Sequence, residues 1–236
     1  MIYLGDNKQI KDAKLGDKQV QSLYLGNDLV WENKYQYIQD GLFFQLDGID
    51  KGPNEGAWTD LKGGIVFTNH GATALDNCWR FYYSQKDYMD SSTIIPTTNT
   101  CTVEVAYYST RQSTFIIISG DRYNSHLAVY MVSASEILFM QNQKKASCNN
   151  TLKENHIFSF NNTTKLFDLN PCTTSTSTYY NNTAMTYIGK RNWGGGNYFD
   201  GKIYAIRIYN RTLTEAEMLH NQQIDNIRFN LGLTLQ

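Results

Sequence analysis

The chain has 236 residues, of which 41% are hydrophobic and 18% charged, and its formal net charge is −1. That length suits one large β domain or two small ones. With no basic patch, no block of like charge and no apolar run of about 18 residues, neither nucleic-acid binding nor membrane insertion is expected.

The 17 Tyr and only 3 Pro point to a β-rich protein, because aromatic side chains fit pleated, half-buried surfaces. The first 33 residues repeat one phrase three times: Leu4-Gly5-Asp6, Leu15-Gly16-Asp17 and Leu25-Gly26-Asn27. Each Gly-Asp or Gly-Asn pair supplies the positive φ of a tight hairpin turn. The apolar residues around them are too few to close a core, and so small a unit needs its sheet completed by something else. One reading is an attachment and oligomerisation module over residues 1–36, most simply a trimer. Its contact would contain Leu4, Ile10, Leu15, Val20, Leu25, Val30 and Trp31. The plainer alternative is a β-meander packed on the rest of the chain.

Residues 1–25 carry Lys8, Lys11, Asp12, Lys14 and Lys18 and no apolar run, so no secretory leader is expected in this stretch. The expectation is that the chain folds in the cytosol, which Met1 favours, or that a leader has been removed. Cysteines stand at Cys78, Cys101, Cys148 and Cys172. They form no Cys-x-x-Cys, which argues against a zinc site, and free thiols are the expectation in a reducing compartment.

From residue 37 onward short apolar segments alternate with polar loops. Residues 101–108 place Cys101, Val103, Val105 and Tyr107 on one face, and Thr102, Glu104, Ala106 and Tyr108 on the other. Segments of similar length begin at Thr114, His126, Glu136 and His156. Such spacing predicts an all-β sandwich or barrel. Val103, Val105, Phe115, Ile117, Phe158, Ile188, Phe199, Ile206 and Ile208 are its expected core. One helix is predicted within residues 212–225, starting at Glu215. Thr214 and Glu217 form a capping box there, and Leu213 with Met218 a hydrophobic staple.

The segment YFDGKIYAIRIYNRTLTEAEML, 198–219, resembles the closing segment of laminin-G-like, concanavalin A-like jelly rolls. GLFFQLDGID at 41–50 and WTDLKGG at 58–64 resemble that family's first strand and its Trp-x-Asp-Leu-x-Gly turn. TYIGKRNWGGGNYFDG at 186–201 resembles its Ile-Gly strand followed by a variable loop. The likeness covers about residues 38–222 and implies a two-sheet antiparallel jelly-roll sandwich over 37–236. Joined to the Leu-Gly-Asp/Asn repeats, and ending in HNQQIDNIRFNLG, the chain also resembles virion appendage proteins of phages that infect gut Bacteroidales. That resemblance implies a fibre, tail or capsid-decoration protein. It would be assembled in the host bacterial cytoplasm, displayed on the virion surface, and partnered by other virion proteins.

Retaining glycoside hydrolases among the jelly rolls carry Glu-x-Asp-x-x-Glu on one strand, which sets two carboxylates on one face. None of Glu32, Glu55, Glu104, Glu136, Glu154, Glu215 and Glu217 begins that motif, and after Glu104 the place of the Asp is taken by Ala106. A non-enzymatic function is therefore expected. For glycan binding the candidates are Asn192, Trp193, Asn197 and Tyr198: an aromatic face for the sugar ring, amides for its hydroxyls, and glycines for close approach. No cofactor is expected. Since calcium is common in related jelly rolls, Asp47, Asp50, Asp60 and Asp200 are the oxygen candidates. The rival readings are a bacterial cell-surface adhesion or carbohydrate-binding module, a glycoside hydrolase, and a purely structural particle protein.

Overall fold

A computed structural model describes residues 14–15, 18–19, 22–25, 28–32, 36–54, 56–98, 100–111, 115–119, 128–133, 136–141, 144–149, 151–161, 163–171, 183–190 and 197–234. The chain divides into two compact units, Met1–Tyr37 and Ile38–Gln236.

In the first unit, β1 (Lys14–Leu15) pairs with β2 (Lys18–Gln19), and β3 (Ser22–Leu25) with β4 (Asp28–Glu32), both antiparallel. Leu15 faces Lys18 and Leu25 faces Asp28, so the second and third repeats each leave a two-residue connection at Gly-Asp and Gly-Asn. That is the spacing of a tight hairpin. Opposite Leu23 and Tyr24 stand Trp31 and Leu29, which makes Val30 a bulge. The first repeat, with Leu4 and Ile10, and also Val20, lie outside the described residues.

The second unit contains β5 (Leu42–Asp47), β6 (Trp58–Thr59), β7 (Val66–His70), β8 (Thr73–Leu75), β9 (Cys78–Phe81) and β10 (Tyr88–Thr97). It continues with β11 (Thr102–Ser109), β12 (Phe115–Ser119), β13 (Ala128–Ser133), β14 (Glu136–Gln141) and β15 (Lys144–Asn149). Last come β16 (Asn155–Phe160), β17 (Lys165–Phe167), β18 (Asn170–Pro171), β19 (Thr183–Ile188), β20 (Gly201–Tyr209) and the helix α1 (Glu215–Arg228). One sheet runs β15-β14-β13-β12-β19-β10-β7-β6, the other β18-β17-β16-β11-β20-β9-β8, with β5 also on β20. Far-apart segments become neighbours, as expected of a jelly roll.

The core lies between the sheets. Val103, Val105, Ile117, Phe158, Ile188, Phe199, Ile206 and Ile208 are all buried there, together with Trp58, Trp79 and Phe44. The expected Phe115 lies in β12, and its side chain is outside the described set. The other face of the second sheet is covered by α1 and the chain that follows it. Ala106, Ile157, Tyr204, Phe229 and Leu231 form one apolar cluster, and Leu42, Leu166, Tyr209, Leu213 and Met218 another. The alternation read along 101–108 is therefore the division between these two layers.

The helix begins where expected. The Thr214 side chain accepts from the Glu217 amide, the Glu217 side chain accepts from the Thr214 amide, and Leu213 packs with Met218. It runs past Asp225 to Arg228, because Ile224 and then Phe229 keep finding apolar cover on the sheet.

Gly201 explains the Phe-x-Gly-x-Ile phrase in the closing segment. A Cβ at this position would stand 2.0 Å from the Tyr108 carbonyl oxygen and 2.6 Å from the Phe199 ring. Only a residue without a side chain lets β20 approach β11 there.

Candidate functional site

The first sheet turns one face to the core and the other to solvent. Along β7, Phe67 is buried while Val66, Thr68 and His70 are exposed. β10 lies beside it with Tyr88 opposite His70 and Asp90 opposite Thr68, and Met89 buried between. On its other edge Asp90 faces Tyr187 of β19. Alternation thus brings His70, Tyr88, Asp90 and Tyr187 to the solvent side.

These side chains form one cluster. The His70 ring stacks on Tyr88 with centroids 4.2 Å apart and planes 12° from parallel. His70 Nε2 lies 2.9 Å from Asp90 Oδ1. Lys190 Nζ sits 4.0 Å from the Tyr88 ring centroid and 5.4 Å from that of Tyr187. His70 and Lys190 thus both lie against the Tyr88 ring. Burial first, and then the nearby Asp90 and Tyr198, raise the Tyr88 phenol above its ordinary value. Its hydroxyl is a hydrogen-bond donor at neutral pH.

The backbone fixes Lys190 in place. Its carbonyl accepts from Ser119 Oγ at 2.7 Å, and it bridges to Tyr198 as an antiparallel pair. The preceding Gly189 has φ +76°, and a Cβ there would stand 2.8 Å from the Phe81 ring. Tyr198 is half-buried, with its ring 6.3 Å from that of Tyr88. Beside the cluster β10 bulges: Ser91, Ser92, Thr93 and Ile94 stand opposite the single Thr186, and Ile94 is 59% exposed. Bulges of this kind re-aim side chains at the surface.

Of the sequence candidates, Tyr198 lies at this cluster, Asn197 is the half-buried residue before it, and Asn192 and Trp193 lie outside the described residues. His70, Tyr88, Asp90, Tyr187 and Lys190 were not singled out from the sequence. The alternation in VFTNH and in the strand after Asp87 is visible there, but the register that joins them is not.

The four calcium candidates each have hydrogen-bond donors of their own. Asp47 Oδ1 accepts from the amides of Ile49 and Asp50 at 2.8 and 3.0 Å, and its second oxygen lies 3.1 Å from Arg228. Asp50 accepts from the Gly52 amide at 3.2 Å. Asp60 accepts from the amides of Gln45, Lys62 and Gly63, which explains the Trp-x-Asp-Leu-x-Gly turn. Asp200 is held by Arg80 at 2.8 Å and by Thr110 Oγ1 at 2.7 Å. Among the described residues no three His, Cys, Asp or Glu side chains are grouped as a metal site.

Glu104 does not face the open side of the sandwich. It lies under α1 with Asp225, both at 0% side-chain exposure, and Arg207 pairs with each. His156 is a satisfied histidine, with Nδ1 2.6 Å from Asp168 and Nε2 2.8 Å from the Thr151 carbonyl. The expectation of four free thiols is corrected: Cys78 and Cys101 are free and buried, but Cys148 is disulfide-bonded. Cys172 lies outside the described residues. An oxidised cysteine needs a nearby thiol brought up by tertiary pairing, which sequence spacing does not reveal.

A comparison with curated proteins finds no match. Among solved structures, Trypanosoma rangeli sialidase in complex with sialic acid superposes with a TM-score of 0.57 at 13% identity, over 80% of this chain and 33% of that one. The binding domain of Paraclostridial Mosquitocidal Protein 1 gives 0.55 at 13% identity, over 79% and 52%. The binding domain of Botulinum Neurotoxin DC in complex with SialylT gives 0.53 at 10% identity, over 81% and 51%. The chain thus spans a third of the sialidase and about half of each toxin chain, and at these identities the likeness is one of fold. With the jelly-roll sheets in place and a family model matching residues 83–218, the chain belongs to the concanavalin A-like lectin/glucanases superfamily.

Proposed function

We propose that the chain is a non-enzymatic virion appendage protein, a fibre, tail or capsid-decoration component, whose jelly roll binds surface glycan. The observation that carries the glycan half is the solvent-facing cluster of Tyr88, His70, Lys190 and Tyr198. Aromatic rings beside polar donors are what a pyranose needs, apolar contact for its C–H face and hydrogen bonds for its hydroxyls. The sialic acid and SialylT complexes among the fold relatives add support in kind. The non-enzymatic half is supported by the burial of Glu104 and Asp225 beneath the helix, where water and sugar cannot enter. No cofactor is needed for this role.

The attachment half rests on the repeated hairpins and on the resemblance of the whole chain to phage appendages. Strands this short, in so small a unit, have edges that symmetry mates would cover most simply. The first unit is then the anchor and a trimer the assembly. Light scattering of the full-length protein beside a form lacking residues 1–37 tests this. A trimer that becomes a folded monomer on truncation, and no longer joins particles, supports it. Two monomers refute it.

The disulfide at Cys148 favours a second reading, a bacterial cell-surface adhesion module that matures in an oxidising compartment. Fractionation of the native source decides between the two: particle-associated protein supports the first, envelope-associated protein the second.

A further inference from the structure

The glycan reading leaves open the charge of the sugar, and the cluster itself bears on it. Lys190 Nζ lies over two tyrosine rings, and among the described residues no carboxylate is within ion-pair distance of it. A ring quadrupole attracts an ammonium and holds it in place, but leaves its charge intact. The carboxylates nearby are differently placed. Asp90 is engaged by His70, and Asp200 by Arg80 and Thr110. Among the described residues the face therefore presents, beside an Asp90 whose partner is His70, a positioned ammonium with no carboxylate paired to it. Next to it are the Tyr88 hydroxyl as a donor and the half-buried Tyr198 ring.

We propose that this face takes a carboxylate-bearing sugar, a sialic or uronic acid residue, with the Lys190 ammonium on the carboxylate and the Tyr198 ring against the pyranose. The inference rests on the glycan reading of the same site. A charge-assisted hydrogen bond to a prepositioned ammonium is stronger than a neutral one. It also weakens with salt, because the cluster is at the surface.

The test is titration calorimetry on the full-length protein with 3′-sialyllactose, a glucuronate-containing hyaluronan tetrasaccharide, and neutral lactose. At least one acidic probe should bind about tenfold more tightly than lactose, with the advantage shrinking as salt rises. The probe that binds names the acid. Lys190→Gln should erase the preference and Lys190→Arg should keep it, with unchanged thermal unfolding in both. If lactose binds as well as either acid and Lys190→Gln changes nothing, the charge inference is overturned while the glycan reading stands. If none of the three binds, both are overturned.

Discussion

Arg207 stands between two buried carboxylates, donating from Nε to Glu104 Oε2 at 2.9 Å and from Nη1 to Asp225 Oδ1 at 2.8 Å, with Nη2 on Asp225 Oδ2. Glu104 is on β11, Arg207 on β20 and Asp225 on α1, so the triad ties the helix to two central strands. Its remaining valences are filled. Asn221 donates to Glu104 and to the Tyr209 hydroxyl, Ser159 donates to Glu104, and Gln222 donates to Ser159. Burial pushes the Glu104 carboxyl up, against the pull of Arg207. A buried charge whose partner is removed costs about 3–5 kcal/mol. Arg207→Leu, which leaves both buried carboxylates without their cation, should therefore lower the unfolding free energy by about that much in urea titration. A change below about 1 kcal/mol would show that the network does not hold the helix.

His156 predicts a pH dependence. Both its ring nitrogens face acceptors, the Asp168 carboxylate and the Thr151 carbonyl, so both must donate and the ring must be an imidazolium. Burial works against the charge, but the hydrogen bond and charge of Asp168, with the Thr151 carbonyl, outweigh it and raise the pKa above its usual 6.5. Below pH 6.5 the folded and unfolded chains both carry the proton. Above it the unfolded chain loses the proton first, so this stabilisation fades as pH rises through the folded value. The stability gap between wild type and His156→Gln should be full at acidic pH and narrow as pH rises. A gap that widens instead would contradict the assigned hydrogen bonds. The partner sits in a tight turn, with Asp168 at φ +50° and Leu169 at φ +68°, which makes the geometry hard to replace.

Glu217 predicts a dependence of opposite sign. Arg211 donates to both of its oxygens, at 3.1 and 2.6 Å, and the Thr214 amide and hydroxyl add to this. Led by the Arg211 hydrogen bonds, its carboxyl falls to about 2 from the usual 4.5. The stabilisation is present above pH 4.5 and is lost as pH falls toward about 2. Thr214→Ala, which removes the cap itself, should cost about 1 kcal/mol at neutral pH, read from the urea midpoint.

Gly201 predicts a steric failure. An added methyl would meet the Tyr108 carbonyl at 2.0 Å, and that atom is backbone. Gly201→Ala should destabilise by about 3 kcal/mol or more. Gly56→Ala has nothing within 4 Å of the new atom but a φ of +75°, so its cost is conformational and should be near 1 kcal/mol. Equal melting temperatures for the two variants would refute the account.

The sequence by itself determined what local periodicity and capping chemistry can encode. The alternation at 101–108 separated the inter-sheet layer from the helix-facing layer, because successive side chains on a strand point to opposite faces. Thr214 and Glu217 marked the helix start, because a capping box is satisfied within four residues. The second and third Leu-Gly repeats fell where β1 pairs with β2 and β3 with β4, because a two-residue connection between strands is a local signal. What only the tertiary structure decided depends on partners far apart in the chain. His70, Tyr88 and Lys190 became one surface cluster through strand register. Glu104, an isolated acid in the sequence, became a buried partner of Arg207 and Asp225 through helix docking. The donors around Asp47, Asp50, Asp60 and Asp200, amides and arginines among them, are likewise set by the fold, since an isolated carboxylate looks the same in sequence whichever donor is brought to it.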